Sequence, residues 1–122
     1  MKLSEVQRML QAEVICGQEW LEKEAESACG ADLMSDVLAF TKERTLLLTG
    51  LTNVQVIRTA ELSDLLAVLF VRGKRPGQDV VELAMAKNIP LLVVDCTMYE
   101  ACGILFSMGL RPCGKRVMEG DV

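Results

Sequence analysis

Three aliphatic runs, each followed by a polar turn and then an amphipathic stretch, restrict this chain to very few folds. Leu46-Leu47-Leu48-Thr49 leads through Gly50-Leu51 into Thr52-Asn53-Val54-Gln55, a capping box that opens a helix to about Ser63. Ala67-Val68-Leu69-Phe70-Val71 leads through Arg72-Gly73-Lys74-Arg75 to Pro76, a residue suited to a helix start, and that helix ends at Asn88 ahead of Pro90. Leu91-Leu92-Val93-Val94 leads through Asp95-Cys96 to a further capping box, Thr97-Met98-Tyr99-Glu100, whose helix is stopped by Gly109. Runs that are apolar at every position belong to strands covered on both faces. Their starts lie 21 and 24 residues apart, enough for a helical crossover and too much for a hairpin, so the strands are parallel. Right-handed crossovers then give an α/β fold, a small open, mainly parallel sheet with helices on its faces.

The first forty residues add a helix-strand-strand-helix assembly. Ser4-Glu5-Val6-Gln7 has the form of a capping box, and Leu3, Val6, Met9 and Leu10 recur at helical spacing. Ala12 to Cys16, closed by Gly17, predicts a strand, and Trp20-Leu21 begins a charged connector through Glu26. Ser27 to Gly30 predicts a second short strand. Asp32 is placed to cap a helix carrying Leu33, Met34, Val37, Leu38 and Phe40. A chain of 122 residues supports one core. The expected organisation is one domain over residues 1–110 and a flexible C-terminal tail over 111–122, where Arg111-Pro112-Cys113-Gly114 carries no periodic pattern.

Charge and residue usage exclude several function classes. Thirteen Lys plus Arg stand against 17 Asp plus Glu, a net charge of -4, so no global field draws in nucleic acid. The longest apolar stretch, Leu65 to Val71, is far short of the roughly 20 residues a membrane span needs. The charged start Met1-Lys2-Leu3-Ser4-Glu5 lacks a signal-peptide core, which predicts a cytoplasmic protein. Histidine is absent, which removes the triad and His-ligated metal mechanisms. The five cysteines form no C-x-x-C pair, and most lie in apolar segments, so neither a metal nor another cofactor is expected.

In an open parallel sheet, ligands collect beyond the carboxyl ends of the strands. Three loops converge there, supplying Thr49, Gly50, Thr52 and Asn53, then Arg72, Gly73, Lys74 and Arg75, then Asp95 and Thr97. The middle loop holds three cations within four residues, chemistry suited to a phosphate or other anion. Neither G-x-x-x-x-G-K-[ST] nor G-x-G-x-x-G occurs. The carboxylate pairs Asp32 with Asp36 and Asp95 with Glu100 are explained by caps and exposed helix faces, and Cys96 by packing. No catalytic constellation remains, and the expectation is a protein that is not an enzyme.

The run Ala31-Asp32-Leu33-Met34-Ser35-Asp36-Val37-Leu38, then Leu47-Leu48-Thr49-Gly50, Val68-Leu69-Phe70-Val71-Arg72-Gly73 and Ile89-Pro90-Leu91-Leu92 ahead of Thr97-Met98-Tyr99-Glu100, resembles the DRTGG domain over nearly the whole chain. Its signature is degenerate here, with Val71-Arg72-Gly73 at the Thr-Gly-Gly place. DRTGG domains accompany CBS modules, phosphotransacetylases and family II pyrophosphatases, and stand-alone versions occur near iron–sulfur hydrogenase components. The resemblance implies a regulatory or scaffolding module that self-associates, service to a redox or hydrogenase system, and no chemistry of its own. A small-molecule sensor for a nucleotide or other anion, and an iron–sulfur hydrogenase accessory subunit, are the alternatives. A homodimer through the helix Met98 to Met108 is expected as well, because only Glu100, Gly103 and Ser107 in that segment are not apolar.

Overall fold

The alternation of side chains along the three aliphatic runs divides the core in two. In a computed structural model, which describes residues 1–113, Leu46, Leu48, Leu69 and Leu92 face one side of the sheet, and Leu47, Val68, Phe70, Leu91 and Val93 face the other. Each side needs its own helices, which is why these strands are apolar throughout. The strands are β1 (Glu13–Cys16), β2 (Ser27–Gly30), β3 (Thr45–Thr49), β4 (Ala67–Phe70), β5 (Leu91–Val93) and β6 (Arg111–Pro112). The helices are α1 (Leu3–Leu10), α2 (Met34–Phe40), α3 (Val54–Leu62), α4 (Gln78–Ala86) and α5 (Met98–Ser107). Helices α1 and α5 cover the first side with Leu3, Val6, Ala101 and Leu105, and α2, α3 and α4 cover the second with Val37, Val56, Ile57, Val80 and Ala84.

The sheet runs β1-β5-β4-β3-β2-β6, parallel everywhere except for the antiparallel edge strand β1. This is the α/β architecture that the spacing of the apolar runs requires. No helix among the described residues is long and apolar enough to cross a membrane.

Several local expectations are corrected. Helix α1 starts before Ser4, at Lys2, because its first free amides already have partners: Leu3 N–H donates to Lys23 O at 3.0 Å and Ser4 N–H to Leu21 O at 2.8 Å. Glu5 closes the turn by accepting from Lys2 N–H at 3.2 Å. Helix α3 is capped by Asn53, which accepts from Gln55 N–H at 3.0 Å, and not by Thr52. Helix α4 begins beyond Pro76, with Gly77 as its cap. Arg111 to Cys113, expected in the tail, stays on the sheet: Ser27 pairs with Arg111, Ala28 with Pro112, and Cys113 N–H donates to Ala28 O at 2.9 Å. The open amides of β2 offer that edge more than solvent does. The rest of the expected tail lies outside the described residues.

Candidate functional site

The carboxyl ends of β3, β4 and β5 meet, as the parallel topology dictates, and the chain there is tied down by hydrogen bonds that cross between loops. After β4 the chain makes two consecutive left-handed residues, Arg72 at φ 58° and Gly73 at φ 65°. Their amides donate to the end of the third unit, Arg72 N–H to Cys96 O at 2.8 Å and Gly73 N–H to Val94 O at 2.7 Å. A side chain at Gly73 would come within 3.2 Å of Asp95 Oδ1, so the Asp95 carboxylate lies over this turn. Arg72 holds a conformation unusual for a residue with a Cβ, and the two amide bonds are what keep it there.

Across from it, Asp32 supplies a clasp that the sequence did not signal. The expected cap of α2 is absent: Leu33 occupies the cap position, and Asp32 Oδ1 accepts from Thr49 Oγ1 at 2.9 Å and from Gly50 N–H at 2.8 Å. The fully buried Thr49 hydroxyl accepts in turn from Leu51 N–H at 3.1 Å, which fixes the exit of β3. A Cβ at Gly50 would lie 3.0 Å from Arg72 Nη2 and 3.7 Å from Asp32 Oδ1. Glycine is therefore the residue that lets the Arg72 guanidinium lie against the β3 loop beside the Asp32 carboxylate.

The expected site residues divide on this geometry. Gly50, Arg72, Gly73 and Asp95 come together with Asp32, and Thr49 supports them from below. Asn53 and Thr97 serve as caps: Thr97 Oγ1 accepts from Glu100 N–H at 3.2 Å, which is the capping box expected there. Thr52 is half-buried and makes no cap. Arg75 is diverted from the cluster, since its Nη1 donates to Glu13 Oε1 on β1 at 3.1 Å. That hydrogen bond, and then the opposite charge, raise the Arg75 pKa, and the same hydrogen bond holds Glu13 below the usual carboxylate range. Lys74 is exposed. Among the described residues Arg72 and Lys74 have no ion pair, and no cluster of three or more acidic or Cys side chains could hold a metal ion. Among the described residues this end of the sheet thus offers two cations without an ion pair, Arg72 and Lys74, and two carboxylates, Asp32 and Asp95, where the sequence suggested three cations.

A second feature lies on the α5 side. A groove of about 630 Å³ is lined by Ala28, Gly30, Phe106, Leu110 and Pro112, and its wall is mostly apolar. Tyr99 and Phe106 on α5 are 87% and 67% exposed, with Ile104 and Met108 partly so. Its lining also includes the polar side chains of Glu100, Ser107 and Arg111.

The DRTGG domain model matches residues 5–108. No curated protein matches the chain. Among solved structures, the chain is similar to the CBS and DRTGG domains of the regulatory region of Clostridium perfringens pyrophosphatase, complexed with the activator diadenosine tetraphosphate. The two share 16% sequence identity and a TM-score of 0.68, over 85% of this chain and 45% of that one. The present chain thus spans under half of that regulatory region, and at this identity the likeness is one of fold.

Proposed function

The chain belongs to the DRTGG domain family, and from that premise we propose that it is a non-catalytic regulatory module that recognises a nucleotide or similar phosphorylated small molecule beyond β3 and β4. The observation that carries the reading is the placement of Arg72. Its guanidinium lies over Gly50, unpaired among the described residues, next to the Asp32 carboxylate. A guanidinium suits a phosphate through paired N–H donors, and a neighbouring carboxylate suits ribose hydroxyls. Such a mixed set favours a nucleotide over a simple anion. The pyrophosphatase region similar in fold carries a nucleotide activator, which supports the same class of ligand.

Thermal denaturation of the chain with millimolar ATP, diadenosine tetraphosphate and inorganic phosphate tests this. A ligand at 100 times its Kd adds about 2.7 kcal/mol to the folded state, which for a domain of this size raises Tm by roughly 10 °C. A rise with the nucleotides that exceeds any rise with phosphate is the expected result. An unchanged Tm in all three would leave a scaffold as the role and overturn the sensor.

Assembly as a homodimer forms the other part of the proposal, and α5 favours it. Tyr99, Gly103 and Phe106 are spaced i, i+4 and i+7 along one face, and a Cβ at Gly103 would meet nothing within 4 Å. Two antiparallel copies of α5 crossing at Gly103 would set Tyr99 of one on Phe106 of the other, a self-complementary two-fold contact. Helix α1 packs against α5, with Leu3 and Val6 in the same core cluster as Ala101 and Leu105, yet Tyr99 and Phe106 stay exposed. Light scattering at micromolar concentration should give twice the mass of one chain, and Phe106→Asp should return it to one. Monomer mass in the unaltered chain would refute the dimer. We further propose service to a redox or hydrogenase system, a reading that rests on the resemblance to stand-alone DRTGG domains alone.

A further inference from the structure

Among the described residues two of the five free cysteines fall opposite one another, Cys29 on β2 and Cys113 one residue past β6. The β2–β6 register sets Ala28 against Pro112, and Cys113 N–H donates to Ala28 O at 2.9 Å, so the next step along both strands brings Cys29 to Cys113. Neighbouring strands run about 4.8 Å apart, inside the roughly 4.4–6.8 Å Cα separation that a disulfide spans. Both side chains leave the sheet on the same face. Gly30, one residue on, faces α5, where a Cβ would lie 2.8 Å from Cys102 Sγ, so alternation puts Cys29 on the opposite face from Cys102. The sheet itself therefore separates Cys102 from the pair. Cys29 and Cys113 are half-buried, so neither is sealed from small reagents.

We propose that Cys29 and Cys113 form a reversible disulfide that staples β6 to β2 when the protein meets an oxidised low-molecular-weight disulfide such as glutathione disulfide. Burial first, then the hydrogen bond and charge of the Cys113 thiol, push the Cys29 thiol up to about 12, which makes Cys29 a poor opening nucleophile. Cys113 therefore opens the reaction. Its thiol gives a proton to solvent, and the sulfur attacks one sulfur of glutathione disulfide. That S–S bond breaks, and one glutathione leaves and takes up a proton. Cys29 then loses its proton, its sulfur attacks the Cys113 sulfur, and the second glutathione departs. The two protein thiols lose two electrons, and glutathione disulfide becomes two thiols.

The bond would close a loop spanning most of the chain and hold in place a strand of only two residues, Arg111–Pro112, which also lines the α5 groove. Oxidation would thereby fix one wall of the surface proposed for assembly. This inference does not depend on the nucleotide reading, since no group of the Arg72 cluster takes part.

The test is to incubate the full chain with glutathione disulfide at pH 8 and to count thiols, map cross-linked peptides and record Tm. The expected result is loss of two of the five thiols, one intramolecular cross-link joining Cys29 to Cys113, recovery of both thiols with dithiothreitol, and a Tm higher by on the order of 10 °C. In Cys29→Ser, Cys113 should stop at a glutathione adduct. In Cys113→Ser, Cys29 should stay largely unmodified. Retention of all five thiols, a cross-link through Cys16, Cys96 or Cys102, or a bond between chains would overturn the proposal.

Discussion

Gly17→Ala should lower the stability of the domain by about 2–4 kcal/mol, although the change adds a single methyl group. Gly17 follows β1 at φ 87°, a left-handed conformation that costs an L-residue roughly 1–2 kcal/mol. The methyl would also fall 2.6 Å from Pro90 Cα and 2.7 Å from Pro90 Cβ. Pro90 cannot give way easily, since its carbonyl accepts from Val68 N–H at 3.0 Å at the entry of β5, and the Cys16 thiol donates to the adjoining Ile89 O at 3.7 Å. The methyl therefore meets the backbone and rigid ring of Pro90, neither of which can swing aside, and the clash falls where β1 joins the sheet. With a domain holding only about 5–15 kcal/mol in total, urea denaturation should show a clearly lower midpoint with an unchanged slope. A midpoint within error of the unaltered chain would show that β1 does not dock as described.

Asp32→Ala should cost about 1–2 kcal/mol, several times the effect of an ordinary exposed carboxylate. Two donors lose their acceptor at once, and one of them, the Thr49 hydroxyl, is fully buried. The magnitude is kept below the upper range for charged hydrogen bonds because Asp32 itself is exposed. Asp32→Asn keeps an acceptor oxygen in the same place and should recover more than half of the loss. Equal stability of Asp32→Ala and the unaltered chain, measured by the same denaturation, would mean that the clasp does not hold the β3 exit.

Asp32 also marks the border of what could be read from the sequence. The parallel core was legible because a strand buried on both faces must be apolar at every position, and Leu46 to Leu48, Ala67 to Phe70 and Leu91 to Val93 leave no other interpretation at their spacing. The capping box at Thr97 was legible for a similar reason, since both of its bonds lie within one turn. Asp32 was not. An aspartate just before a helix has the same local pattern whether it caps that helix or reaches a strand end 18 residues away, and only the sheet pairing decides. Arg75 failed in the same way. Its cationic character was visible, but its partner Glu13 lies on a strand 62 residues earlier, brought near by the antiparallel β1–β5 pairing. Strand β6 has two residues, one of them proline, and carries no period to detect. Contacts between segments distant in sequence are what local pattern omits, and the site is built largely from such contacts.

In the proposed function Arg72, with Lys74 beside it, forms the recognition end of a regulatory domain. Calorimetric titration of the nucleotide that best stabilises the chain, into the unaltered protein and into an Arg72→Ala, Lys74→Ala variant, tests it most directly. Loss of the guanidinium should weaken binding at least tenfold, about 1.4 kcal/mol, while the far-ultraviolet circular dichroism of the variant stays unchanged, because neither side chain is part of the core. Equal affinity in the variant, or no binding to the unaltered chain, would rule out recognition at Arg72.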